Sequence, residues 1–312
     1  MNRLKGNCRY RNINGIVLLD KPINISSNDV LQTVKRIYYA NKAGHTGSLD
    51  PLATGMLPIC LGEATKFSQY LLNADKRYKV TAKLGERTNT SDANGQTISI
   101  RPVSLNKTKL IKELKYFCGE SNQVPSMFSA LKYHGRPLYE YARKGINVVR
   151  EARKINVYDL KLHNWNLNKL ELEIHCSKGT YIRTIIDDLG ERLGCGAHVI
   201  ALRRTAVANY SSSDMITLTA LQAIYAETLN NKEKFSYLDA LLLPIDSALI
   251  AMPTINIPSY LAYRLLLGQN IKVIAPHVGL VRIIYDNSNF LGIGEINSQA
   301  LLIPRCLVKN RT

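Results

Sequence analysis

The stretch H-T-G-S-L-D-P-L-A-T-G, His45 to Gly55, decides how the rest of the chain is read. Asp50 stands directly before Pro51, and a residue before proline is driven out of the helical region into an extended conformation. Gly44, Gly47 and Gly55 bracket it, and a missing Cβ permits backbone geometry and close approaches denied to other residues. Asp50 is therefore a carboxylate on a stiff kink in a glycine-cleared loop, with little apolar bulk beside it except Leu49 and Leu52. Such a loop suits presentation of an acid to a substrate. Asp-Pro is equally an ordinary turn, and spacing alone leaves both open.

Upstream, Gly15 to Asp20 (G-I-V-L-L-D) is a short apolar run of buried-strand type that stops at Lys21-Pro22. Ser26 and Asp29 have the spacing of a capping box. Beyond them Val30, Val34 and Ile37 recur at helical spacing, with Gln32, Lys35 and Arg36 pointing elsewhere. Downstream, Leu57 to Leu61 leads into a helix expected from Glu63 to Leu72, carrying Phe67 and Leu71 inward. Tyr78 to Leu84 (Y-K-V-T-A-K-L) alternates with period two, so Tyr78, Val80, Ala82 and Leu84 form the inner face of a strand. Thr88 to Gly95 is polar and ends in Asn-Gly, a turn signal. A helix follows over about Lys107 to Phe117, with Leu110, Leu114 and Phe117 on one side.

The stretch Leu170 to Cys176 (L-E-L-E-I-H-C) alternates cleanly as a second strand with Leu170, Leu172, Ile174 and Cys176 buried, and runs into the tight Ser177 to Thr180. If the chain stays extended through Tyr181-Ile182-Arg183, Tyr181 and Arg183 share one face. An arginine emerging from a core strand needs an anionic partner, which a substrate group or a plain structural salt bridge would equally supply. Ile185, Leu189 and Leu193 mark a helix ending at Gly194. Asn230 to Ser236 is a polar connector, and Pro244, Pro253 and Pro258 punctuate the approach to the last segment. There Leu280 to Tyr285 and Phe290 to Ile296 flank D-N-S-N, a hairpin signal. From Ile255 onward the tail is strand-rich enough for a small β-barrel.

With 41 Lys plus Arg against 24 Asp plus Glu, the chain carries a formal +17 over 312 residues, an excess that implies a polyanionic partner. No apolar run approaches the roughly 20 residues of a membrane span, and the basic N-terminus lacks the apolar core of a signal peptide, so nucleic acid is favoured over a membrane surface. Six scattered cysteines include no C-x-x-C pair, which argues against a disulfide framework or a zinc site and for reduced thiols in a cytoplasmic protein. Between Lys132 and Lys154 the bases Lys132, Arg136, Arg143, Lys144, Arg150, Arg153 and Lys154 outnumber Glu140 and Glu151, with Tyr133, Tyr139 and Tyr141 interleaved. That mixture suits phosphate contact with base stacking, although a solvated charged helix has the same composition.

The run His45 to Phe67 (H-T-G-S-L-D-P-L-A-T-G-M-L-P-I-C-L-G-E-A-T-K-F) resembles the catalytic motif of the TruB family of bacterial tRNA pseudouridine-55 synthases. Asp75 to Val80, Cys176 to Gly190 and Gly196 to Thr205 agree with it, and the likeness extends from Asn14 to about Pro304. The resemblance implies an α+β pseudouridine synthase domain on a largely antiparallel mixed sheet over residues 1–250, with an RNA-binding insertion at about 123–154. Residues 251–312 would form a small PUA-like β-barrel. It implies isomerisation of uridine 55 in the TΨC arm of tRNA after flipping of the base. Asp50 matches the catalytic aspartate and Arg183 the active-site arginine that favours its ionised form. Tyr78 matches an aromatic that stacks on the target base, proposed to help remove the C5 proton, and Tyr181 and Leu202 match residues that complete the uracil pocket. His45 matches a residue that fills the vacated space, and Asp92 one implicated in tRNA contact. The resemblance carries no cofactor or metal and no guide RNA, and a monomer is the default. In relatives that read T-D-T-S-D, this chain has Asn89 in place of the first acid.

Overall fold

In the computed structural model, residues 10–228, 235–274 and 277–308 are described, and they form two main sheets besides two small two-stranded ones, Glu86–Thr88 with Thr97–Ile100 and Lys132–Tyr133 with Arg136–Pro137. The largest has nine strands. Its order runs Ile216–Thr217, Gly15–Lys21, Thr54–Leu61, Ala197–Val207, Lys76–Leu84, Lys169–Cys176, Arg153–Asn166 and Gly119–Gln123, and Ala43–His45 adds to the far end of Thr54–Leu61. Two of its pairings are parallel, Gly15–Lys21 with Ile216–Thr217 and Ala197–Val207 with Thr54–Leu61; the others are antiparallel. The sheet is therefore mixed and largely antiparallel, as the resemblance implies.

The second parallel pairing matters most for function. It is only two residues long, Arg203 opposite Thr54 and Arg204 opposite Gly55, and it joins two antiparallel halves with separate cores. On one side Tyr78, Val80, Ala82 and Leu84 pack with Leu170, Leu172 and Ile174 beneath the helix Ile182–Leu193. On the other, Val17, Leu19, Leu57 and Ile59 pack beneath the helix Ser27–Ile37 through Val30, Val34 and Ile37. Ser26 caps that helix by accepting from the Asp29 amide. The Asp50 loop bridges the seam, since Leu49, Leu52 and Ala53 belong to the first core while Thr54 begins a strand of the second.

Gly55 is what lets the seam close. Its φ is +97°, and a Cβ there would lie 2.2 Å from the Arg204 carbonyl oxygen. Gly190, on the helix Ile182–Leu193, would likewise strike the Ala197 nitrogen at 2.1 Å, so that helix lies directly against the neighbouring strand.

Two expected elements differ. The helix expected over Glu63 to Leu72 is broken into a 3-10 turn, Gly62–Lys66, and a short α-helix, Ser68–Asn73. Phe67 sits at the joint, buried at 5.4 Å from the Phe290 ring centroid, and Lys66 donates to the Leu307 carbonyl at 3.0 Å. Packing against the C-terminal sheet overrides the local helical pattern; Phe67 and Leu71 still point inward. The chain is also not extended through 181–183: Tyr181 is the last extended residue and the helix begins at Ile182.

The C-terminal sheet has five strands in the order Thr254–Ile257, Gly279–Tyr285, Asn289–Ile296, Leu301–Leu307 and Ile271–Lys272. It curls over a core of Ile257, Leu265, Val281, Ile283 and Leu302 in the manner of a PUA-like module. The expected hairpin turns through Asp286 and Asn287, both with positive φ. Of the polar connector Asn230 to Ser236, residues 230–234 lie outside the described residues. The five described cysteines are unpaired, and Cys60, Cys176 and Cys195 are buried.

Replacing Gly55 with alanine forces an L-residue into left-handed backbone and against the Arg204 carbonyl. We expect a loss of about 2–3 kcal/mol in urea unfolding, with a greater loss of activity than Gly145→Ala, a positive-φ glycine with open space around it.

Candidate active site

The Asp50 loop, the strand Lys76–Leu84, the start of the helix Ile182–Leu193 and the first part of the insertion converge on a cleft of about 380 Å³. Its wall includes Asp50, Tyr78, Tyr181, Arg183 and Leu202, together with Ser129 to Leu131 from the insertion. Five of the sequence-derived site residues thus meet in one place.

Arg183 is the hub. Its side chain is 6% exposed, and Nε pairs with the Asp50 Oδ2 at 2.9 Å. Nη1 donates to the Asp92 carboxylate at 3.1 Å and to the Thr90 carbonyl at 3.0 Å, and Nη2 donates to the Phe128 carbonyl at 2.8 Å. One guanidinium therefore ties the Asp50 loop, the Thr88 to Gly95 turn and the insertion to the second residue of a helix. A cation in a first turn faces the positive end of the helix dipole, so two carboxylates and two carbonyls are needed there.

Asp50 itself is open to the cleft, its side chain 40% exposed. Burial of its surroundings pushes its carboxyl above the ordinary range; Arg183 opposes this, Asp92 adds to it and Lys21 opposes it again. The arginine favours the ionised form as expected, but burial outweighs it. Asp92, by contrast, is 4% exposed, and its oxygens are taken by Arg183, the Thr90 hydroxyl and the Asn94 amide. Its carboxylate faces the protein interior. Tyr78 and Tyr181 are walled in, and burial raises the pKa of both phenols.

His45 is not part of the cleft wall. It ends the short strand Ala43–His45 opposite Ile59, two residues before Gly47, and its buried Nδ1 has no hydrogen-bond partner among the described residues. Burial and then Arg204 lower its pKa, so the ring is neutral. Of the insertion residues, Lys132, Arg143, Lys144 and Arg153 are exposed and Arg150 is half-buried. The Arg143 guanidinium lies 5.2 Å from the Tyr139 ring centroid, so bases and aromatics do share this surface. The insertion holds one short helix, Leu138–Arg143, and not a long charged one.

Three residues of the site were not singled out from sequence. Arg204, 2% exposed, donates to the Met56 and Gly47 carbonyls at 2.7 and 3.0 Å, bracketing the Asp50 loop. Lys21, fully buried, donates to the carbonyls of Pro22, Ile25 and, at 3.4 Å, Pro51; burial pushes its pKa down to about 8. Lys76, on the cleft wall, donates to the Leu71 and Leu72 carbonyls at the end of a short helix. Arg204 was accessible from pattern alone, because strand alternation from Leu202 places it on the same inward face. Nothing local marks Lys21 or Lys76 as buried.

A cleft at the seam of a mixed sheet, with a carboxylate held by arginine and two tyrosines in its wall, has the make-up of an enzyme active site. Comparison identifies the kind of enzyme. The N-terminal domain model of the TruB family pseudouridylate synthases matches residues 35–182. The C-terminal domain of tRNA pseudouridylate synthase B matches 183–250, and the C-terminal model of pseudouridine synthase II TruB matches 253–308. Curated relatives named tRNA pseudouridine synthase B include one from Sodalis glossinidius, 68% identical over 96% of both chains. Another, from Vibrio parahaemolyticus, is 57% identical over 96% of both. Among solved structures, a chain of a Cbf5-Nop10-Gar1 complex superposes with a TM-score of 0.73 at 26% identity, over 95% of this chain and 84% of that one. The chain belongs to the TruB family of pseudouridine synthases.

The charge arrangement has opposite consequences for its two ends. A carboxyl whose folded pKa is raised contributes stability that is full below its unfolded value and is lost as pH rises through the folded one. Asp50→Asn should therefore melt no lower than the wild type at pH 7, its relative stability rising from pH 4 to pH 7. Arg183→Ala strands the buried Asp92 carboxylate and should cost about 3–5 kcal/mol. Thermal and urea unfolding of both variants across that range measures the contrast.

Proposed function

We propose that this pseudouridine synthase acts on tRNA and converts uridine 55 of the TΨC arm, with Asp50 as the catalytic carboxylate. The observation that carries the proposal is the Arg183–Asp50 pair at 2.9 Å, inside a cleft of about 380 Å³ whose wall includes Tyr78, Tyr181 and Leu202. The net reaction breaks the bond between ribose C1′ and N1 of uracil and joins C1′ to C5, moving a proton from C5 to N1. Whether the carboxylate attacks the base or assists at C1′ through a glycal-like intermediate, it must be ionised when chemistry starts. Arg183 and Lys21 oppose the effect of burial on it.

A uracil stacked in a folded arm has to be extruded to reach this depth. Tyr78 then stacks on it as a neutral ring, and Arg204 is the cation that favours its phenolate form. Tyr181 and Leu202 close the sides. His45, two residues before Gly47 of the cleft wall and neutral, occupies the position the base leaves. Asp92 supports tRNA contact indirectly, by holding Arg183 and through it the insertion. Lys132, Arg143, Lys144, Arg150 and Arg153 supply phosphate contacts from the insertion, and residues 251–312 touch the acceptor end. Residues 1–250 carry the chemistry. The enzyme acts as a monomer in the cytoplasm without cofactor, metal or guide RNA, and prying the arm open gives it a secondary tRNA-folding role.

Incubation of the purified protein with unmodified tRNA, followed by mapping of pseudouridine, should give product at position 55; no product there without added protein or RNA refutes the proposal. Asp50→Asn should bind tRNA nearly as the wild type does and form no product. Lys144→Glu or Arg150→Glu should weaken binding and make the slope of log affinity against log salt shallower by about 1; an unchanged slope removes the insertion from the interface.

A further inference from the structure

The strand Gly119–Gln123 is the edge of the large sheet, and Gln123 is its last residue, paired with Arg153 where the insertion leaves and returns. Its side chain is turned away from solvent, 6% exposed, and both of its polar atoms are spent on one residue across the core. Oε1 accepts from the Tyr181 amide at 2.8 Å, and Nε2 donates to the Tyr181 carbonyl at 3.1 Å. A primary amide that grips both backbone groups of one residue does what a neighbouring strand would do. Here it does so where the chain changes from extended to helical, with no side-chain cap on the helix.

We propose that Gln123 is a positioning residue for the reaction, fixing the backbone of Tyr181 and so the Tyr181 ring and Arg183, and that it couples this wall to the base of the insertion. The inference rests on the assignment of Tyr181 to the uracil pocket. Tyr181 is the hinge between the tight Ser177 to Thr180 stretch and the helix, and a rotation of its φ or ψ swings its ring across the cleft. Arg183 lies two residues further on and holds Phe128, inside the insertion, by the bond to its carbonyl. The base of the insertion is thus fastened to Tyr181 by Gln123 and its first turn by Arg183, so that the placement of the insertion and the geometry of the catalytic pair are set together. Gln123 does not itself line the cleft and reaches it only through the Tyr181 backbone. It borders a separate cavity of about 340 Å³, whose charged and titratable groups are Tyr116, Asp188, Glu191 and Arg192; Arg153 faces it from the neighbouring strand.

The test is single-turnover pseudouridine formation at saturating tRNA, well below the melting temperature of every variant. Gln123→Ala should lower the rate by about 10- to 100-fold, as small misplacements of a reacting assembly do, with tRNA affinity changed less than about threefold. Gln123→Glu supplies the sharper readout. Its carboxylate accepts from the Tyr181 amide but repels the Tyr181 carbonyl, whereas the protonated acid restores the donor, and burial favours the protonated form. The rate of Gln123→Glu relative to wild type should therefore rise as pH falls from 8 to 6. A rate for Gln123→Ala within twofold of wild type, or a flat ratio for Gln123→Glu, overturns the proposal; if Gln123→Ala does not fold, the ratio decides alone. Tyr181→Leu separates the two levels. Full activity in that variant refutes the pocket assignment, while an inactive Tyr181→Leu beside an unaffected Gln123→Ala refutes the role of Gln123 only.

Discussion

A single buried guanidinium holds this molecule's working parts in register. Arg183 satisfies two carboxylates and two carbonyls at once, and each acceptor comes from a different stretch of chain or a different part of one. Taking such a group out of water is costly unless every polar atom around it is paired, so the arrangement is close to all-or-none. Asp50 gains a cation, Asp92 is tolerated in the interior, and the insertion acquires a fixed point beside the cleft. The same arithmetic sets Asp50 apart from the other acceptors. It is the one acceptor of the set still open to the cleft, and burial keeps its carboxyl from being fully reconciled with its surroundings.

The sheet prepares this arrangement. Two antiparallel halves with separate cores meet over a parallel contact of two residues, and the loop bearing Asp50 crosses that seam with a hydrophobic foot in one core. Arg204 bonds to the carbonyls of Met56 and Gly47 on either side of the loop, and Lys21 reaches Pro51. Three buried cations thus surround a single exposed acid. Arg204 and Lys21 hold carbonyls of the loop and its flanks, which leaves the carboxylate aimed at the cleft and paired with Arg183 alone.

Much of this was legible in the residues. Period-two alternation located the strands around Tyr78 and Leu172, the Ser26 cap located the first helix, and the need of Arg183 for an anion followed from its neighbours before any partner was in view. What the chain did not disclose locally was long-range. The break at Phe67 comes from packing on a sheet some 220 residues later, near Phe290. The helical start at Ile182 was hidden because Tyr181-Ile182-Arg183 carries no capping side chain, its cap function being supplied from Gln123. The family resemblance assigned Asp92 to tRNA contact, whereas its carboxylate is turned onto Arg183, a placement that a polar turn sequence cannot reveal. Burial of Lys21 and Lys76 depends on carbonyls offered by other segments, and no one-dimensional pattern reports those.

The interaction that everything else rests on can be measured at one atom. With aspartate labelled at the side-chain carboxyl carbon and Asp50 assigned by comparison with Asp50→Asn, its titration is followed by carbon NMR in the wild type and in Arg183→Met. Loss of the guanidinium should move the Asp50 midpoint upward, to a pH well above that of the wild type. A midpoint that does not move would mean that Arg183 does not govern the catalytic carboxyl.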